Sequence, residues 1–212
     1  MQITGIMKLM LIVALILNLV ILGCEVYALV HVKGKLNILK YYTYLQNFLS
    51  LIVSLICCVY LAINIIFGQT VPEFVMGLRY VATCGLVATM FIFIVFLGNG
   101  KKIAITEDDF LSGLSPKMGN IILHYVCPIV SLLSFVVFER QIDLNNNIWT
   151  AIVAIPSCVY WVVYIILTKT KLWKEPYNFA SSDKKNKFIE VLTILLLPLS
   201  FIAISFILWN IR

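Results

Sequence analysis

Charge is what this chain has least of. Asp, Glu, Lys and Arg make up 12% of its 212 residues, where soluble domains carry about 25%. Hydrophobic residues account for 62%, against about 45–50% in soluble domains, so the chain reads as an integral membrane protein. Other shortages narrow the chemistry. All four aspartates (Asp108, Asp109, Asp143, Asp183) fall in polar segments, which excludes a paired-aspartate protease inside the membrane. There is no H-E-x-x-H, and His31 and His124 are the only histidines, too few for a zinc cage. One membrane histidine makes a haem bundle a poor reading. No G-x-S-x-G elbow and no Gly-rich phosphate loop occurs. No metal and no cofactor is expected. The six cysteines (Cys24, Cys57, Cys58, Cys84, Cys127, Cys158) all lie in apolar runs, where free thiols act as small buried hydrophobes and imply no disulfide framework.

What the chain has in abundance is long apolar runs. A bilayer core needs about 20 mostly apolar residues per helix, and six stretches qualify: 7–30, 41–67, 75–97, 121–138, 148–168 and 188–209. The longest polar segments, 98–120 and 169–187, are too small to be domains. The expected fold is therefore all-α, a single six-helix transmembrane domain over 1–212. The first run is read as a helix and not as a removable signal, because it is long, follows a single Lys8 and lacks a small-residue cleavage pattern.

Of the 16 Lys and Arg residues, twelve lie in the first, third and fifth loops: Lys33, Lys35, Lys40, Lys101, Lys102, Lys117, Lys169, Lys171, Lys174, Lys184, Lys185 and Lys187. The positive-inside rule puts those loops in the cytoplasm and both termini outside. Lys8, Arg79, Arg140 and Arg212 fall to the other side, with Arg79 expected to snorkel or meet a lipid phosphate there. The net charge of +6 then reflects topology and attraction to anionic headgroups. Nucleic acid binding gains no support from it.

Within the runs, polar residues recur at helical spacing. Thr43, Asn47, Ser50 and Ser54 share one face of the second span, His124, Cys127, Ser131 and Ser134 one face of the fourth, and Ser157, Trp161, Tyr164 and Thr168 one face of the fifth. Such faces turn inward, since polar groups in hydrocarbon need partners. Ser, Thr and Asn there usually serve interhelical packing. Thr43 and His124 both begin spans after odd-numbered loops, so they occupy the same membrane face. A hydroxyl and an imidazole are the minimal nucleophile and general-base pair. Glu190, at the same face, has two readings: a holder of the imidazole, or a partner of Lys187 one turn earlier. Trp161, Tyr164, Trp173 and Tyr177 either shape an acyl-chain pocket or anchor the helices at the interface.

The stretches "KYYTYLQN" (40–47), "LHYVCP" (123–128) and "TKLWKEPY" (170–177) resemble the androgen-induced and androgen-dependent family of six-helix membrane hydrolases, and more closely its bacterial relatives, the predicted six-helix membrane proteins. The resemblance covers the whole chain in span number and order, through short motifs. It implies an intramembrane lipid esterase acting on fatty acyl esters, in the eukaryotic members fatty acid esters of hydroxy fatty acids. It also implies Thr43 as nucleophile, His124 as base, a bacterial cell membrane, and membrane lipids with a lipid ester substrate as partners. Asn47 is the candidate orienter or extra oxyanion donor. His124 precedes Pro128 by four positions, as in the bacterial relatives, whereas the eukaryotic members have five. The competing expectation is a noncatalytic lipid-binding, small transport or scaffold protein.

Overall fold

The computed structural model describes residues 5–30, 40–94, 119, 121–173 and 184–212, with the backbone alone over 184–197. The described chain is all-helical: α1 (Gly5–Val30), α2 (Tyr42–Phe67), α3 (Glu73–Ile92), α4 (Ile122–Phe138), α5 (Ile148–Lys169) and α6 (Lys184–Ile211). Four of these, α1, α2, α3 and α5, are long and apolar enough to cross a membrane. The apolar stretches of α4 and of α6 (Pro198–Ile211) are shorter among the described residues.

In α1, burial falls on Leu11, Ala14, Asn18, Ile21, Glu25 and Ala28, alternating steps of three and four that define one helical face. Outward faces stay apolar: Leu19, Leu55, Ile66 and Val162 are all exposed, as hydrocarbon contact requires and water would not favour. Helix α3 is central, packing against α2, α4, α5 and α6. Small residues admit these neighbours. A Cβ on Gly77 would lie 2.0 Å from the Trp149 ring, and one on Gly85 2.0 Å from the Gln46 amide.

Proline shapes two of the helices. Pro128 has no N–H for the His124 carbonyl four residues back, and its ring crowds that carbonyl. The turn responds by widening over Ile122–Val126, with the Cys127 N–H bonded to the Ile122 carbonyl. Pro156 likewise cannot serve Ile152, and α5 is interrupted there between Ile152 and Ala154. The α2–α3 corner is set by Gly68, left-handed at φ 69°, which donates its N–H to the Asn64 carbonyl.

Contacts fix which ends lie together. Glu73 at the start of α3 accepts the N–H groups of Asn145 and Asn146 from the α4–α5 loop, at 3.2 and 2.7 Å. Arg212 reaches the Glu139 and Ile142 carbonyls at 3.2 and 2.6 Å. The even-numbered connections and the C-terminal residue therefore share one end of the bundle. At the other end, the Tyr160 hydroxyl donates to the Lys40 carbonyl just before α2, at 2.8 Å.

Candidate functional site

The inward polar faces form as the spacing predicts. Asn47, Ser50 and Ser54 on α2, His124, Cys127, Ser131 and Ser134 on α4, and Ser157, Trp161 and Tyr164 on α5 are all buried. Thr43 is half-buried in the first turn of α2, and its carbonyl accepts the Asn47 Nδ2 at 2.8 Å. The other amide atom, Asn47 Oδ1, has no partner among the described residues. Tyr41, the N-cap of α2, makes no side-chain capping bond, so its side chain does not cover the N–H groups of the turn that carries Thr43.

His124 lies in the widened turn of α4, 9% exposed. Its ring stacks on Phe93 with centroids 4.0 Å apart and planes 16° apart. Nδ1 has no partner among the described residues. No hydrogen bond among them joins His124 to Thr43, and the His124 turn packs chiefly on α1 and α3.

The aromatic residues separate by environment. Trp161 and Tyr164 are in contact, centroids 5.2 Å apart, and both are buried. They join Tyr160, whose ring meets Tyr42 at 5.2 Å. The cluster thus meets the first turn of α2 through the contact of Tyr160 with Tyr42. Trp161 Nε1 has no partner among the described residues. Trp173 is half-buried against the same core. Tyr177 lies outside the described residues, and of Glu190 only the helical backbone is described.

Arg79 overturns the expectation of a snorkelling side chain. It is fully buried, with Nε 3.3 Å from both carboxylate oxygens of Glu139 and Nη1 2.9 Å from Ser131 Oγ. Glu139 also accepts Asn18 Nδ2 at 2.8 Å and Ser134 Oγ at 2.6 Å, and Thr83 lies 3.0 Å from Ser131. A cation held by a carboxylate, a hydroxyl and a carbonyl has no need of a headgroup. Cys158 likewise departs from expectation, being exposed on the apolar outer face, while Cys57, Cys58, Cys84 and Cys127 are buried.

Gln46 stands off the α2 polar stripe yet is buried. It accepts from the Tyr42 hydroxyl at 3.1 Å and donates to the Ala82 carbonyl at 3.2 Å, in the space Gly85 leaves. The sequence reading missed Asn18, Glu25 and Glu139. Glu25 carried a signal, being an ionisable residue inside an apolar run, and Asn18 shares its inward face of α1; Glu139, just past the fourth run, carried no such signal. No family model, curated protein or solved structure matches this chain.

Proposed function

We propose that the chain is a six-span membrane protein of the resembled hydrolase family, and that it cleaves fatty acyl esters at the membrane face where α2 begins. The observation that carries this reading is His124: a buried imidazole, fixed by its Phe93 stack, whose Nδ1 has no partner among the described residues. A histidine kept for packing alone would find a hydrogen bond for that nitrogen. Pro128 supports the same view, since the widened turn it imposes sits at the residue in question, where such turns recur at functional sites.

In the proposed reaction the Thr43 hydroxyl attacks the ester carbonyl. His124 takes its proton and passes it to the departing alcohol, and water then hydrolyses the acyl-threonine with His124 as base again. First-turn N–H groups of α2 and the Asn47 amide serve the oxyanion. In this reading the acyl chain lies against Trp161, Tyr164 and Trp173, and Tyr177, outside the described residues, is assigned to the same pocket from the sequence alone. Glu190 then orients the imidazole, the alternative being a pair with Lys187 one turn earlier. Thr43 and His124 come into reach when the ester and water bind, as catalytic hydrogen bonds often tighten only in the substrate complex. Loops one, three and five face the cytoplasm of a bacterial cell.

The absence of a resting Thr43–His124 bond among the described residues favours, as a second reading, a protein that binds lipid without cleaving it. Purified protein given long-chain acyl esters separates the two. The esterase reading expects hydrolysis that falls at least about 100-fold in Thr43→Ala and in His124→Ala, with lipid binding retained. Equal hydrolysis in all three proteins, or none in any, rejects it.

A further inference from the structure

Glu25 is the least explained side chain of the bundle. It lies within the membrane-spanning helix α1, is fully buried, and neither carboxylate oxygen has a hydrogen-bond partner among the described residues. The Ser50 hydroxyl of α2 stands beside it, itself buried and with no well-formed hydrogen bond among the described residues. Asn47 Oδ1, one turn earlier on the same helix, and Ser54 Oγ, one turn later, are equally without donors. This is a run of oxygen atoms with nothing positive among them. Arg79 of α3 is near enough for its charge to act on Glu25, but its nitrogens are engaged by Glu139 and Ser131. The buried interior described thus holds one guanidinium against two carboxylates, and an unpaired carboxylate in an apolar interior is not tolerated without a compensating positive charge.

We propose that Glu25, with the Ser50 hydroxyl, binds a small monovalent cation inside the bundle, sodium or a proton. One charge is missing, which selects a monovalent ion. Carboxylate, hydroxyl and amide oxygens are hard donors, which suit an alkali cation and not a soft metal. With a proton, the carboxyl O–H donates to Ser50 Oγ. The other titratable groups facing Glu25 are the Cys24 thiol of its own helix and the Cys127 thiol of α4, together with Arg79. None supplies the cation. Neither Thr43 nor His124 takes part in this site; Asn47 is the residue it has in common with the proposed ester chemistry.

An apolar carbodiimide tests the site, since it enters the membrane and modifies protonated carboxyls. The intact protein in lipid vesicles is treated with dicyclohexylcarbodiimide and the adduct is located by peptide mass spectrometry, in sodium chloride or choline chloride at equal ionic strength, from about pH 5 to about pH 9. The expected adduct is on Glu25 and is absent from Glu25→Gln, while Glu139, held by Arg79, stays unmodified in the folded protein and reacts after denaturation. Sodium at about ten times its dissociation constant leaves about a tenth of the sites free, so labelling roughly tenfold slower in sodium than in choline identifies sodium. Labelling that ignores sodium but falls as pH rises identifies the proton. No adduct on Glu25 at any pH, or an adduct that neither sodium nor pH alters, overturns the proposal. Ser50→Ala is expected to weaken sodium protection while leaving Glu25 reactive.

Discussion

Removing either member of the Arg79–Glu139 pair should destabilise the bundle more than removing both. Arg79 has a relative exposure of 0% and Glu139 of 0%, so Arg79→Leu strands a carboxylate that keeps only the Asn18 amide and Ser134 hydroxyl. Glu139→Leu strands a guanidinium that keeps only the Ser131 oxygens. Breaking a buried pair from one side typically costs about 3–5 kcal/mol, whereas replacing both partners with apolar groups is often close to neutral. For a chain of this size each kcal/mol moves the melting temperature by about 2–4 °C, so each single variant should melt about 6–20 °C lower. The double variant Arg79→Leu/Glu139→Leu should recover most of that loss. Detergent-solubilised protein, scanned by size-exclusion retention after heating, gives all four corners of the cycle. Losses that simply add in the double variant, or single variants that melt like wild type, would refute the reading of a mutually dependent buried pair.

Three further outcomes follow from packing. Gly85→Ala places a methyl group against the Gln46 amide and should destabilise by about 1–3 kcal/mol, as overpacking does; adding Gln46→Ala should restore part of it, read by the same melting assay. Pro128→Ala restores a donor to the His124 carbonyl, so ester hydrolysis should fall while the melting temperature holds or rises; a fall in both would mean the widened turn is structural only. Tyr160→Phe removes the tie to the Lys40 carbonyl and should cost about 0.5–1.5 kcal/mol, with a further loss of hydrolysis because the aromatic cluster on the first turn of α2 loosens. Unchanged hydrolysis in that variant would separate the cluster from the site.

Much of the fold was legible because hydrocarbon punishes unpaired polar groups: spacing alone put Asn47, Ser50, Ser131 and Ser157 on buried faces, where they lie. Periodicity says which residues turn inward but not which of them meet, and Arg79 shows the difference. Its position near a helix start suggested a headgroup, yet Glu139, sixty positions away, supplies its counter-charge. Gln46 was illegible for a related reason, because its place depends on the missing side chain of Gly85 on another helix. For the candidate site the sequence offered residue types, Thr43 and His124 on inward-facing helices, and no hydrogen bond among the described residues joins the two. That His124 stacks on Phe93 was not, since Phe93 is one apolar residue among many in its run, and nothing local marks it as the neighbour of an imidazole.

The central claim is that Thr43 is the nucleophile, and a trapped adduct addresses it most directly. Intact protein in vesicles is treated with a long-chain fluorophosphonate, digested, and the modified peptide sequenced by mass spectrometry, in wild type, Thr43→Ala and His124→Ala. The account predicts a phosphonyl group on Thr43 in wild type, none at that position in Thr43→Ala, and labelling slowed at least about 100-fold in His124→Ala, where the base is gone. An adduct on any other residue that survives Thr43→Ala, or no adduct in a protein that hydrolyses esters, would contradict it.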